Sequence, residues 1–104
     1  MSTRAISIAI ASVLVLLCGT ARASADLARS RNCLACHATD RKLVGPAFRN
    51  IAAKYASDRE AAQRLTSKVR DGGSGVWGQV PMPPNPQVSP EEADALVRWI
   101  LSLK

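Results

Sequence analysis

The chain has 104 residues and a formal charge of +6, with two Trp, one Tyr and one Phe as its aromatic residues. That length allows one small domain. The sparse aromatics and the absence of any lysine–arginine run longer than Arg41-Lys42 exclude a nucleic-acid-binding module.

Residues 1–25 read as an export signal. Arg4 supplies the positive start, and Ala5 to Cys18 is an apolar run broken only by Ser7 and Ser12. The run is too short and too poorly flanked to span a membrane. Ala21-Arg22-Ala23 and Ala23-Ser24-Ala25 are overlapping small-x-small cleavage sites. Cleavage after Ala25 is favoured because Arg22 then stays clear of the last two positions; cleavage after Ala23 is the alternative. An uncleaved signal would leave the domain tethered as a membrane anchor. Cys18 does not suit a lipoprotein, since Leu17 stands where that cleavage wants a small residue. The expected products are a cleaved signal peptide and a periplasmic domain over residues 26–104, without stable membrane insertion. The signal holds two of the 14 basic residues and none of the 8 acidic ones, which leaves 12 and 8, a formal +4.

Asp26 is an acidic N-cap candidate for a first helix that runs through Leu27-Ala28-Arg29 toward Cys33-Leu34-Ala35-Cys36-His37. This last run is C-x-x-C-H. Two thiols at that spacing can each add across a vinyl group of one haem, and the imidazole that follows is then held beneath the iron. A zinc site would need four ligands, and the only other cysteine lies in the signal. A thioredoxin-like site would need a strand feeding a helix, and nothing upstream alternates like a strand. Covalent haem c on Cys33 and Cys36, with His37 as an axial ligand, is the surviving reading. It also suits an exported chain, in which free thiols would tend to oxidise.

Gly45-Pro46 breaks the chain and starts a second helix with proline at its first position. Phe48, Ile51, Ala52 and Tyr55 give that helix one apolar face. Ser57-Asp58-Arg59-Glu60 reads as a capping box for a third helix to about Arg70, with Leu65 and Val69 inward and Gly72-Gly73 at its end. Ser89-Pro90-Glu91-Glu92 is a second capping box, and the helix it starts buries Ala93, Leu96, Val97, Ile100 and Trp99. The class is all-α, with about four helices. A chain of this size has a marginal core of its own, and a haem would supply the missing apolar body.

Residues 72–88 are rich in glycine and proline, yet too little chain follows for them to link a second domain. An ordered loop packed against the haem is expected. Within it Met82 is the only methionine besides Met1, held in Pro81-Met82-Pro83-Pro84. A lone methionine is ordinarily core filler. Here its proline-stiffened loop and the lack of a second histidine make it the sixth ligand. A lysine would first have to lose a proton; a thioether has none to lose. Neutral sulfur opposite imidazole favours ferrous iron and leaves no open position, which points to electron transfer and not to an enzyme.

The mature chain resembles the small bacterial class I cytochromes c of the c-551 (c8) type. The resemblance rests on Cys33-Leu34-Ala35-Cys36-His37, Val44-Gly45-Pro46-Ala47-Phe48, the run from Gly72 to Gly78, Pro81-Met82-Pro83-Pro84-Asn85 and the last helix. It implies a class I fold wrapped around one haem. It also implies that the Pro46 carbonyl accepts from His37, that the indole of Trp77 bonds a haem propionate with Lys68 as a second candidate, and that Asn85 donates to the Met82 sulfur or orients its loop. Ala28 stands where the family usually has a bulkier residue, so packing of the first helix on the last is expected to be thin there. The function implied is a monomeric periplasmic shuttle, taking electrons from a membrane donor complex. Nitrite reductase or a cytochrome oxidase is the possible acceptor. A haem peroxidase or gas-sensing protein, with a dissociating methionine, is the alternative.

Overall fold

The computed structural model describes residues 19–104; Arg4, the apolar run through Cys18 and most of the expected signal lie outside the described residues. Helix α1 is helical from residue 19 through residue 30. Asp26 is therefore inside the helix and not its N-cap. Alanines at 21, 23 and 25 are strong helix formers and carry the helix across the expected cleavage sites. Asp26 instead pairs with Arg29 one turn on, at 3.0 Å.

Helix α2 spans Phe48–Lys54, with Ala47 as its N-cap. Pro46 precedes that cap and is not the first helical residue, as the sequence had led us to expect. The start is displaced because two of the helix's free N–H groups are taken by the loop before it. Phe48 donates to the Ala38 carbonyl at 2.9 Å and Arg49 to that of Thr39 at 3.0 Å.

Helix α3 spans Ala61–Asp71, and the expected capping box of Ser57 and Glu60 does not form. Asp58 takes over that task. Its carboxylate accepts from the Glu60 N–H at 3.0 Å and from the Arg64 guanidinium. Gly72, at φ +74°, ends the helix in a conformation that other residues rarely adopt. Helix α4 spans Pro90–Ser102 and carries the predicted cap in full. Ser89 Oγ accepts from the Glu92 N–H at 3.1 Å, and Glu92 accepts from the Ser89 N–H at 3.0 Å.

Helix α4 packs against both α2 and α3. It buries Ala93, Leu96, Val97 and Ile100, with Trp99 half-buried beside them, as its periodicity predicts. Leu65 and Val69 of α3 are half-buried, and Val69 packs on the core. Among the described residues there is no strand, only two isolated bridges. The all-α class holds.

Ala28 corrects a sequence expectation. It is fully buried, in one cluster with Val88, Ala93 and Leu96. The small side chain lets α1 approach closely, so the contact is tight where a thin one was expected. Among the described residues ten apolar side chains are buried, and five of them are alanines: Ala28, Ala47, Ala52, Ala61 and Ala93. Among the described residues the largest fully buried side chains are Phe48, Leu96 and Val88. The chain's own core is small.

Candidate haem site

The haem motif is a single tight turn. Asn32 takes a left-handed conformation, φ 65°, and turns the chain from α1 into a 3₁₀ turn over Cys33–Ala35. Asparagine is one of the few residues that tolerates this. The Cys33 carbonyl then accepts from the N–H groups of Cys36 at 3.3 Å and His37 at 3.0 Å. Both thiols and the imidazole thus leave one turn. Both cysteines are free and half-buried. Burial pushes the Cys33 thiol up from its ordinary value.

Residues 38–47 wrap back around His37. Its Nδ1 lies 2.7 Å from the Pro46 carbonyl, so Nδ1–H donates there and the Nε2 lone pair is left for a metal. The ring stacks on Phe48 at 5.1 Å, and Phe48 meets Trp99 of α4 edge-on at 5.7 Å. Gly45 covers another part of the ring. A side-chain carbon added there would fall 2.5 Å from His37 Cε1. The Gly45 N–H also donates to the Cys36 carbonyl at 2.7 Å. Imidazole orientation is thereby determined from three directions.

Met82 sits on a loop pinned to the end of α3. It exchanges two backbone hydrogen bonds with Gly73, at 2.8 and 3.0 Å. Gly72 is essential to this approach, because a side-chain carbon there would fall 2.5 Å from the Met82 carbonyl oxygen. Asn85 locks the far side of the loop. Its amide donates to the carbonyls of Val69 at 2.8 Å and Pro83 at 3.2 Å, and its N–H to Arg70 at 3.0 Å. Both amide hydrogens are therefore committed to backbone.

Lys68 lies along Gly73, its Nζ 2.7 Å from where a side-chain carbon on that glycine would be. Trp77 stands in the exposed loop that follows. The ammonium of Lys54, at the end of α2, lies 5.5 Å from its ring centroid.

The uncovered apolar side chains of these segments suit a flat apolar group. Leu34, Leu43, Val44, Val76, Trp77 and Val80 are between 36% and 67% exposed, a concentration of uncovered apolar surface in so small a chain. Their segments adjoin the two thiols and the methionine loop. Among the described residues no three His, Cys, Asp or Glu side chains gather as a metal site of their own. Two thiols for the vinyl groups and an oriented imidazole for the iron suit haem and not a free ion.

Sequence reasoning had named Cys33, Cys36, His37, Pro46, Lys68, Trp77, Met82 and Asn85. It missed Asn32, Gly45 as a wall of the histidine site, Phe48 as its backing and Lys54. Asn32 and Gly45 carried a signal, since both residue types mark special backbone or close approach. Lys54 carried none, because its partner is remote in sequence.

Comparison with known proteins agrees with this chemistry. The family model for cytochrome c matches residues 21–104. Cytochrome c-552 of Nitrosomonas europaea is 56% identical over 90 residues, covering 86% of this chain and 87% of that one. Cytochrome c-552 of Hydrogenobacter thermophilus is 48% identical over 88 residues, 85% of this chain and 89% of its own. The crystal structure of the Nitrosomonas protein superposes with a TM-score of 0.75 at 57% identity, over 77% of this chain and 99% of that one. The class 1 cytochrome MtoD of Sideroxydans lithotrophicus follows with a TM-score of 0.65 at 34% identity, covering 79% and 94%. One covalently attached haem c, with its iron, is the family's cofactor, and the C-x-x-C-H thiols are present to hold it. This chain belongs to the cytochrome c family, as a small class I monohaem electron-transfer protein similar to cytochromes c-551 and c-552.

Proposed function

We propose that the protein is a periplasmic electron shuttle with His37 and Met82 as axial ligands, and that it is a carrier without catalytic activity of its own. The observation that carries this is the paired fixing of the two ligands. His37 is oriented by Pro46 at 2.7 Å, and the Met82 backbone is bolted to Gly73 by two hydrogen bonds. Haem, when bound, supplies the Fe(II)/Fe(III) couple that carries one electron per cycle. The residues do the rest. Pro46 keeps the proton on Nδ1 and makes Nε2 the better donor. The neutral Met82 sulfur favours the ferrous state. Asn85 orients the methionine loop through its backbone bonds, and Trp77, with Lys68 as the second candidate, bonds a propionate.

Residues 1–25 act as the signal peptide, and residues 26–104, 79 residues, form the mature domain. In support, the matched part of the solved cytochrome c-552 corresponds to about 80 residues here, 77% of 104. Among the described residues no helix is long and apolar enough to cross a membrane.

Partners are redox proteins: a membrane donor complex on one side, and nitrite reductase or a cytochrome oxidase on the other. They dock on the apolar patch of Val44, Val76 and Pro83, guided by Arg41, Lys42 and Arg49. None of those three cations is in an ion pair among the described residues, whereas Arg29, Arg31, Arg64 and Arg98 all are. Unpaired charge attracts at long range, so stopped-flow oxidation by an acidic partner slows as salt rises. Rates indifferent to salt leave the apolar patch as the only docking determinant.

Carbon monoxide tests the ligation. The ferrous wild type keeps its spectrum under the gas, while Met82→Ala binds it and has a lower potential. A wild type that binds readily has an open iron, and the peroxidase or gas-sensing reading replaces the shuttle.

A further inference from the structure

Trp77 is 44% exposed, so the fold does not need it as core. Gly75 and Gly78 flank it at φ +103° and +114°, and a side-chain carbon on either would meet nothing within 4 Å. Among the described residues, the one backbone hydrogen bond within residues 74–80 is internal, from Gly75 N–H to the Gly78 carbonyl at 2.8 Å. A loop of this kind places an indole poorly by itself. A cation from the rest of the molecule reaches the ring. The Lys54 ammonium lies 5.5 Å from the Trp77 centroid and 5.9 Å from that of Tyr55, the residue that caps the end of α2.

We propose that Lys54 is a positioning residue for Trp77, clamping the indole of the glycine loop to the end of α2 by a cation–π contact. The quadrupole of an indole face attracts a cation more strongly than any other side-chain ring does. The same ammonium lies within reach of the Tyr55 ring, so it bridges the end of α2 and the glycine loop. Lys68, the cation that the sequence singled out for this edge, lies along Gly73 instead and makes no such contact in the structure. Lys54 also adds a positive charge at the edge where Trp77 stands. Its role in electron transfer rests on the proposal that Trp77 bonds a propionate; the clamp itself does not.

The test uses the ferrous holoprotein and the indole N–H signal of Trp77 in proton NMR, with Trp99 as internal control. Lys54→Met keeps the aliphatic stem and removes the charge. It should speed exchange of the Trp77 indole proton about two- to fivefold, the scale of an exposed cation–π contact, and leave Trp99 unchanged. Lys54→Arg should restore the wild-type rate. An unchanged Trp77 signal in Lys54→Met overturns the proposal, as does a change that Lys54→Arg fails to rescue. Trp77→Phe separates the two claims. It keeps a ring but loses the N–H, so a pH dependence of the reduction potential that does not move refutes the propionate bond and leaves the clamp standing.

Discussion

Where α1 meets α4, Ala28, Ala93 and Leu96 close on one another with almost no exposed surface. A capping box and the Arg31–Glu92 pair at 2.7 Å tie the ends together. The segments that carry the haem motif and the glycine loop are built otherwise. Leu34, Val44, Val76 and Val80 stand in the open, and four of the glycines have positive φ. The difference teaches what each region is for. One is finished by the chain itself; the other is a surface shaped for a group that the chain does not encode. The smallness of the finished part, half alanine in the cluster of Ala28, Val88, Ala93 and Leu96, makes it dependent on the unfinished one.

The comparison breaks most sharply at Gly72. Gly72→Ala puts a carbon within 2.5 Å of backbone that carries Met82, at a φ of +74°. Neither can yield easily. We expect a loss of about 2–4 kcal/mol, from left-handed strain together with overpacking. Thermal unfolding of the holoprotein measures it, and a midpoint within error of wild type would show that the loop has room to move.

In the finished region Ala28→Leu is the corresponding probe. The thin packing expected from the sequence would make this a stabilising change, but the burial of Ala28 reverses its sign. Three added carbons have no space between Val88, Ala93 and Leu96, so a loss of about 1–3 kcal/mol is expected. A raised midpoint would restore the thin-packing view.

The two outcomes illustrate what was legible. Helix α4 could be read whole, because its cap is local chemistry and its apolar period is unambiguous. The haem motif and the Pro46 contact to His37 could be read because their chemistry is rare and their spacing restrictive. The start of α2 and the capping of α3 could not. Both depend on which carbonyl or carboxylate lies nearby in space, Ala38 and Thr39 in one case and Asp58 in the other. Ala28 failed for a related reason: a small residue signals either a gap or a close approach, and only the facing helix decides. Lys54 was beyond reach, since a contact between an ordinary lysine and a distant indole leaves no local trace.

A smaller effect sharpens the same contrast. The Arg31 guanidinium, and then the Ser89 N–H, hold the Glu92 carboxyl below its usual range. A depressed native value stabilises the fold above the unfolded carboxylate's pKa of about 4.3, and that contribution is lost as the pH falls through the native value. Glu92→Gln should therefore show a shallower loss of thermal midpoint between about pH 5 and pH 3. An identical acid profile would mean that the pair, which is partly exposed, contributes nothing measurable.

The dependence of the whole fold on the haem face is tested by removing what completes it. The variant carrying Cys33→Ala and Cys36→Ala, purified without haem, can be heated beside the holoprotein while helicity is followed by circular dichroism. A core this small, with the apolar face left uncovered, should give no cooperative transition, whereas the holoprotein unfolds in one step. A haem-free variant that melts as cooperatively as the holoprotein, at a comparable temperature, would show that the chain completes its own core and would contradict the account.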